Sequence, residues 1–317
     1  MSTRALAGRM DTAALVTLGA CIAIVLGGAI AYPQFLAPSF LMQQLHVGSF
    51  MGIVVAGLFV VILLGRIDLS APWTMTAAAM AATTLHTTPV PEALALPAGL
   101  AVGAAVGAVN GLGVVLLRVP SIIWTLAVNT ILRGIIVYWS SRQLLDSRPS
   151  NLIETLGQGQ IGLGISWAVT LWALVSIVVI AVQRRAAVGR YLLATGQNER
   201  ASWLSGVPTD RIVFGSFVFA GLCNGLAGVL LAGYAGQAYM DMGTPYLLPA
   251  IAAVVIGGSS ILGGRGTYPG ALCGAILVTL LTSLLSISQM SEAARQIIFG
   301  LLILGMVLIY SRGTDQV

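Results

Sequence analysis

The chain has no lysine; all fifteen of its basic residues are arginine. A phosphate-binding loop needs a lysine directly after its glycines, so this chain holds no such nucleotide site and any ATP hydrolysis must come from a partner. Charge of either sign is scarce. Only 8% of the 317 residues are charged and 57% are hydrophobic, against about 25% charged in a soluble domain. So few charges cannot cover a water-exposed surface, and lipid must cover most of it. One oversized soluble core is excluded as well, because single cores stop growing at roughly 250–300 residues and still need a polar shell.

Chemically active groups are equally sparse. There are two histidines, His46 and His86, both near predicted outer ends of apolar segments, and no HExxH, GxSxG or CxxC pattern. An enzyme needs a nucleophile, acid–base groups or metal ligands in convergent positions, and the sequence offers none. Cys21, Cys223 and Cys273 each fall inside an apolar run; an odd count there makes no disulfide framework, and buried reduced thiols are expected. The net charge of +5 does not signal nucleic acid, because the arginines are dispersed between apolar runs instead of forming one stripe.

What is present is apolar length. A spanning helix needs about 20 largely apolar residues. Ten segments qualify: 12–32, 47–65, 69–86, 93–117, 121–139, 166–182, 212–235, 247–262, 267–287 and 294–310. The first follows Arg4 and Arg9 like a signal peptide, but it is too long for a typical one and lacks a clear cleavage site, so it is read as a retained span. The third and eighth are the weakest. The eighth is short and Gly-rich at its end, as a re-entrant segment would be.

Arginine placement tests the count. With the N-terminus in the cytoplasm, eleven arginines lie inside (4, 9, 66, 118, 184, 185, 190, 200, 211, 265 and 312) and two outside (142 and 148), while Arg133 and Arg295 fall within spans. That asymmetry favours ten spans with both termini cytoplasmic. The expected architecture is an all-α, polytopic membrane protein of about ten transmembrane helices, forming a single domain over 1–317. Two hydrophilic segments stand out: an outer loop over about 140–165 and an inner one over about 183–211. The 38 glycines concentrate in the spans, where small residues let helices approach closely. Val109-Asn110-Gly111-Leu112 echoes Cys223-Asn224-Gly225-Leu226 in a span of opposite direction. That suits an inverted repeat, although chance similarity between apolar segments accounts for it equally well.

All ten acidic residues fall in loops or at span edges, which leaves no buried carboxylate to couple an ion gradient. Arg133 is the one charge clearly inside a span. It snorkels outward, lines a pathway or pairs with another helix. The inner segment is the most informative. Asn198 suits an N-cap, Glu199 the first turn and Gly206 the position after a helix end. They mark a short helix from Glu199 to Ser205 below the membrane, with Thr209 or Asp210 free to cap the next span. Ala201, Trp203 and Leu204 give the short helix an apolar patch, which either rests on lipid headgroups or docks a cytoplasmic partner.

At this point the sequence resembles a known family. Gly189-Arg190-Tyr191, Gly196-Gln197-Asn198-Glu199-Arg200-Ala201 and Leu204-Ser205-Gly206-Val207 resemble the coupling segment of carbohydrate-type ABC importer permeases, the ribose, xylose, arabinose and galactose family. The likeness continues through Ile67-Asp68-Leu69-Ser70, Asn110-Gly111, Val119-Pro120, Thr125-Leu126 and Leu132-Arg133-Gly134. It also includes Ala250-Ile251-Ala252-Ala253-Val254-Val255-Ile256-Gly257-Gly258 with Gly263-Gly264-Arg265-Gly266. Departures are Arg66 where glycine is usual, Ala71-Pro72-Trp73 in place of a small, Gly-containing stretch, and Ser121-Ile122-Ile123-Trp124 in place of x-F-I-A. The bulky changes fall in spans three and five, where they would reshape a pathway.

The resemblance implies a type II-like importer permease in a bacterial inner membrane. It implies two permease subunits, identical or related, over two cytoplasmic ABC ATPase subunits that bind ATP and magnesium, with a periplasmic substrate-binding protein above. This chain itself carries no cofactor. Spans two to five and seven to ten would rock when the ATPases close. Coupling falls to Asn198, Glu199, Arg200, Ala201, Leu204 and Gly206. The expected pathway residues are Asn110, Trp124, Thr125, Asn129 and Asn224, each of which serves equally as helix–helix glue. The alternatives are an ion-coupled secondary carrier acting alone, and an ABC permease for a nucleoside or a sugar-derived signal.

Overall fold

A computed structural model describes residues 3–84, 91–143, 148–162 and 164–314; His86 and Asp146 lie outside these. The described residues form thirteen α-helices. The first five are α1 (Thr3–Ala31), α2 (Pro38–Leu63), α3 (Ala71–Thr84), α4 (Ala95–Val115) and α5 (Ser121–Gln143). Then come α6 (Asn151–Gln158), a two-residue hairpin of β1 (Gln160–Ile161) and β2 (Ile165–Ser166), α7 (Trp167–Arg185), α8 (Ala187–Gln197) and α9 (Glu199–Leu204). The last four are α10 (Thr209–Ala235), α11 (Leu247–Ile256), α12 (Tyr268–Ile287) and α13 (Glu292–Thr314). Each of the ten apolar segments read from the sequence overlaps one of these helices. Among the described residues seven stretches are long and apolar enough to cross a membrane.

Helix α2 is the axis of the bundle. From His46 to Leu63 nearly every residue is buried whichever way it points, as expected of a helix that is apolar all round. By contrast α1, α5 and α7 turn Ile22, Ile30, Ile123, Ile131, Leu174 and Ile177 outward. These are lipid-facing surfaces, since an apolar residue in hydrocarbon needs no cover.

The closest helix contact is antiparallel and built on glycine. On α4, Gly99, Gly103, Gly107 and Gly111 recur every four residues and so form one stripe. Gly103 meets the Gly221 carbonyl and the Gly225 backbone, Gly107 meets Phe217 and Val218, and Gly111 meets Phe214. Positions rise on α4 as they fall on α10, so these two spans run in opposite directions, as the alternating ten-span topology expects.

Two spans have helices too short to cross the hydrocarbon layer. Helix α3 has 14 residues and α11 has 10, or about 21 and 15 Å at 1.5 Å per residue, short of the roughly 30 Å hydrocarbon layer. Gly228, two-thirds of the way along α10, presses on the Met75 backbone, so α3 begins near the middle of the bundle. Gly243 presses on the Pro72 carbonyl, which places the start of α11, four residues later, at about the same level. Non-helical chain therefore enters from the α9 end before α3, and from the opposite end before α11. The partners match in the same way: α3 packs on α4 and α10, and α11 on α12 and α2. Helices α3 and α11 thus enter from opposite ends on matching neighbours, as an inverted repeat pairing them would require, whereas the echo lay between α4 and α10.

The α4–α10 seam gives a direct test. Gly221→Ala places a methyl against the backbone of Gly103 and Gly107; overpacking of this kind costs about 1–3 kcal/mol. Thermal unfolding of the detergent-solubilised protein should show a lower midpoint. Gly215→Ala, on the same helix with nothing within 4 Å of the added carbon, should leave the midpoint unchanged or slightly raised. Equal midpoints for the two variants would refute the seam's role.

Candidate functional site: the broken spans and the inner helix

Helix α9 forms where the sequence places it. The Asn198 side chain accepts a hydrogen bond from the Ala201 N–H at 2.9 Å, satisfying one of the first-turn donors. Past the other end Gly206 has φ +83°. The Gly206 N–H reaches the Trp203 carbonyl at 2.9 Å and the Val207 N–H reaches Ser202 at 3.0 Å, a Schellman closure that favours glycine. Ser202 is buried, while Trp203 and Leu204 are 59% and 69% exposed. Two adjacent large apolar side chains therefore project outward from the end of the bundle. The following helix differs from expectation: Pro208 stands at the N-cap of α10 and no side chain caps it. Helix α8, before α9, was not legible in the sequence, because Gly189, Thr195 and Gly196 are poor helix formers.

This α8–α9 unit is joined through backbone to both interrupted spans. Gly196 lies against the Leu63 carbonyl and the Gly264 backbone. The Gly264 N–H donates to Leu63 O at 2.9 Å, and Gln197 Nε2 donates to Gly264 O at 3.3 Å. At the base of α7, Gln183 donates to Gly266 O and accepts from the Tyr268 N–H, both at 2.9 Å. The chain after α2 and the chain after α11 thus converge on one small inner element.

The segment 66–70 is held inside the protein by side chains of α4 and α5. Ile67 N–H donates to Ser121 Oγ at 3.3 Å and Leu69 N–H to Thr125 Oγ1 at 3.0 Å. Asn110 Nδ2 donates to Ser70 Oγ at 2.7 Å and to Asp68 Oδ1 at 3.4 Å. Asp68 is 1% exposed. Its Oδ1 also accepts from the Ser70 N–H at 2.9 Å and from Ser70 Oγ at 2.6 Å, whereas Oδ2 has no partner. The expectation that no carboxylate is buried is corrected here. Asp68 does lie in a loop, but that loop is folded into the bundle, and the absence of a buried carboxylate can no longer be used against ion coupling.

The five expected pathway residues fall into two groups. Asn110 and Thr125 are fully buried and hold the 66–70 segment. Trp124 clamps α5 to α4: its indole N–H donates to Val109 O at 3.1 Å and its ring covers Gly113. Asn129 and Asn224 are different. Asn129 Oδ1 and both amide atoms of Asn224 are buried without a partner, and Asn224 stands one turn below Gly228, level with the start of α3. These two side chains have hydrogen-bonding capacity to spare. Arg133, read from sequence as the one charge inside a span, is exposed on the bundle and lies 5.9 Å over the Trp73 ring, so its charge faces an aromatic surface.

The fold, with its interrupted spans and inner helix, is that of a membrane permease, and the chain belongs to the family described as branched-chain amino acid transport system / permease component, whose model matches residues 40–307. It is a multi-pass membrane protein and a component of a transport system. Among curated proteins it is similar to the ribose import permease protein of Haemophilus influenzae, 31% identical over 94% of this chain and 92% of the relative. It is likewise similar to the L-arabinose ABC transporter permease protein of Azospirillum brasilense, 31% identical over 88% and 82%. An autoinducer 2 import system permease protein of an Enterobacter strain is 32% identical over 67% of this chain and 62% of its own length. No solved structure matches the chain significantly.

Removing the amide that secures the 66–70 segment should be costly. Asn110→Ala deletes both bonds and leaves Asp68 less compensated, a loss of about 1–3 kcal/mol. The thermal midpoint should fall by several degrees, and substrate uptake into reconstituted vesicles should fall with it. Asn129→Ala, which deletes no hydrogen bond, should lower uptake while leaving the midpoint in place. If the two variants behave alike, Asn110 has no anchoring role distinct from the pathway.

Proposed function

We propose that this chain is the membrane-spanning permease subunit of a sugar ABC importer in a bacterial inner membrane. It works as a dimer, identical or paired with a related subunit, over two ATPase subunits. Both termini and α9 face the cytoplasm, the α6 end faces the periplasm, and a periplasmic binding protein delivers a pentose or similar sugar there. ATP and magnesium are bound by the ATPases. This chain supplies the passage and does no chemistry of its own.

The observation that carries this reading is the exposed Trp203–Leu204 pair on a helix closed at both ends and following α8, whose Gly196 packs on Leu63 and Gly264 at the inner ends of the two broken spans. An apolar knob fits a groove on a partner protein. Movement of the knob passes to Leu63–Gly65 and Gly263–Gly266, and so to the two half-helices whose N-termini meet at mid-bundle. The solute meets Asn129 and Asn224 there. Sugar as the substrate class rests on the ribose and arabinose permeases, against a family description that mentions amino acids. The autoinducer 2 relative supports a second substrate reading, a sugar-derived signal, which the ligand of the cognate binding protein distinguishes. Buried Asp68 gives an ion-coupled carrier one supporting observation, and uptake by the permease alone in vesicles without any ATPase would establish it.

Leu204→Asp and Gly206→Val are the decisive variants. The first puts a charge in the apolar patch, and the second forces a β-branched residue into a positive φ. Both should leave the spans folded and reduce uptake about tenfold, equivalent to roughly 1.4 kcal/mol of lost coupling. ATPase activity should no longer respond to loaded binding protein. Unchanged uptake in both would remove the docking role.

A further inference from the structure

The link between α9 and the span before α3 runs through one side-chain contact. Arg66 Nη2 donates to Glu199 at 2.9 Å on Oε2 and 3.1 Å on Oε1. All the other hydrogen bonds given for residues 199–204 stay within 198–207, so among the described residues this pair alone bonds α9 to a distant segment. Beside it a polar cleft of about 590 Å³ separates α9 from the inner ends of α4 and α5, lined by Val114, Arg118, Pro120, Arg200, Trp203 and Asp210 among others. Among the described residues the helix rests mainly on α8 and α10.

Arg66 sits at a fixed point. Helix α2 ends in a Schellman closure, with Gly65 at φ +71°, its N–H on Ile62 O at 2.8 Å and the Arg66 N–H on Val61 O at 3.3 Å. The next residues are the buried 67–70 segment secured by Ser121, Thr125 and Asn110. The pair is solvent-accessible, with side chains 20% and 48% exposed, so it adds little to stability. It does fix the spacing between the inner helix and the start of a broken span.

The geometry points to Arg66–Glu199 as a strut that carries displacement of α9 directly to the 66–70 segment and hence to α3. This deepens the proposed docking role and rests on it. Glu199 then acts inward on Arg66, not outward on an ATPase. Arg66 is a positioning residue that stands where the family resemblance usually has glycine. The contacts of Gly196 with Leu63 and Gly264 remain when the strut is lost, and Gly264 leads on to α11, so losing the strut should weaken the drive to α3 more than that to α11 without dismantling the inner element.

The test uses the complete transporter reconstituted in vesicles with its ATPase and binding protein, and reads solute imported per ATP hydrolysed. Arg66→Gly and Glu199→Ala should each lower that ratio about fivefold, with ATPase co-purification and thermal midpoint unchanged. Arg66→Glu and Glu199→Arg should each do so too, and the double variant carrying both reversals should recover most of the ratio. Recovery is the outcome a merely surface-exposed pair would not give. A normal ratio in Arg66→Gly, or a double reversal no better than the single ones, overturns the strut. If Leu204→Asp still uncouples in the same assay while Arg66→Gly does not, only the strut fails; if neither uncouples, the docking role itself has failed.

Discussion

A helix that stops inside a bilayer leaves backbone N–H and C=O groups where no water can reach them, and each unmet group costs several kcal/mol. This chain is interrupted at mid-bundle twice, before α3 and before α11, and it leaves α11 through a glycine-rich turn. Much of what is distinctive in it satisfies the consequences. Ser121 and Thr125 take the N–H groups of Ile67 and Leu69. Thr125 also donates to Ser121 O at 2.8 Å and lies 3.3 Å from Ile67 O. Gln183 and Gln197 serve the glycine segment after α11. Polar residues that look surplus in an apolar sequence are, in large part, the partners of displaced backbone.

Satisfying those groups also constrains the neighbours. Non-helical chain inside the bundle must be flanked by helices that come close, and close approach is what the glycine stripe on α4 provides. Where the chain needs a tight packing partner it places no side chain at all, as at Gly196 on Leu63 and Gly257 on Gly270. The same contacts that shield the breaks connect them mechanically. That is why the inner element, the broken spans and the α4–α10 seam form one unit, while α1, α5 and α7 present much of their surface to lipid.

Composition and apolar length were sufficient for the fold class, since each of ten apolar stretches overlaps a helix. Helix α9 was legible residue by residue because capping is local chemistry: Asn198 and Gly206 announce its ends wherever the helix sits. Helix α8 was not, because its glycines are used for tertiary contact with Val182, Gln183 and Leu63, and local propensity cannot register that use. The half-helices were hidden for a related reason. Hydropathy counts apolar residues whether or not they are helical, so 69–86 and 247–262 read as full spans, the weakness of both notwithstanding. The depth of Asp68 depends on Asn110, 42 residues away, and Arg66 acquires its meaning from Glu199, 133 residues away. Of the five pathway candidates the sequence could name the polar residues but not sort anchors from free amides, because that distinction depends entirely on which partners are taken.

The brevity of α11 bears on how the protein is made. Ten residues are too few to be accepted as a transmembrane segment during synthesis, and fourteen in α3 fare little better. Neither half-helix can hold its place until its flanking helices have entered the membrane. Assembly therefore has an order. The long spans insert as independent rods, and the two short ones are drawn in afterwards by contacts that close only when distant parts of the chain have met. The two half-helices that meet at mid-bundle are the last to be put in place.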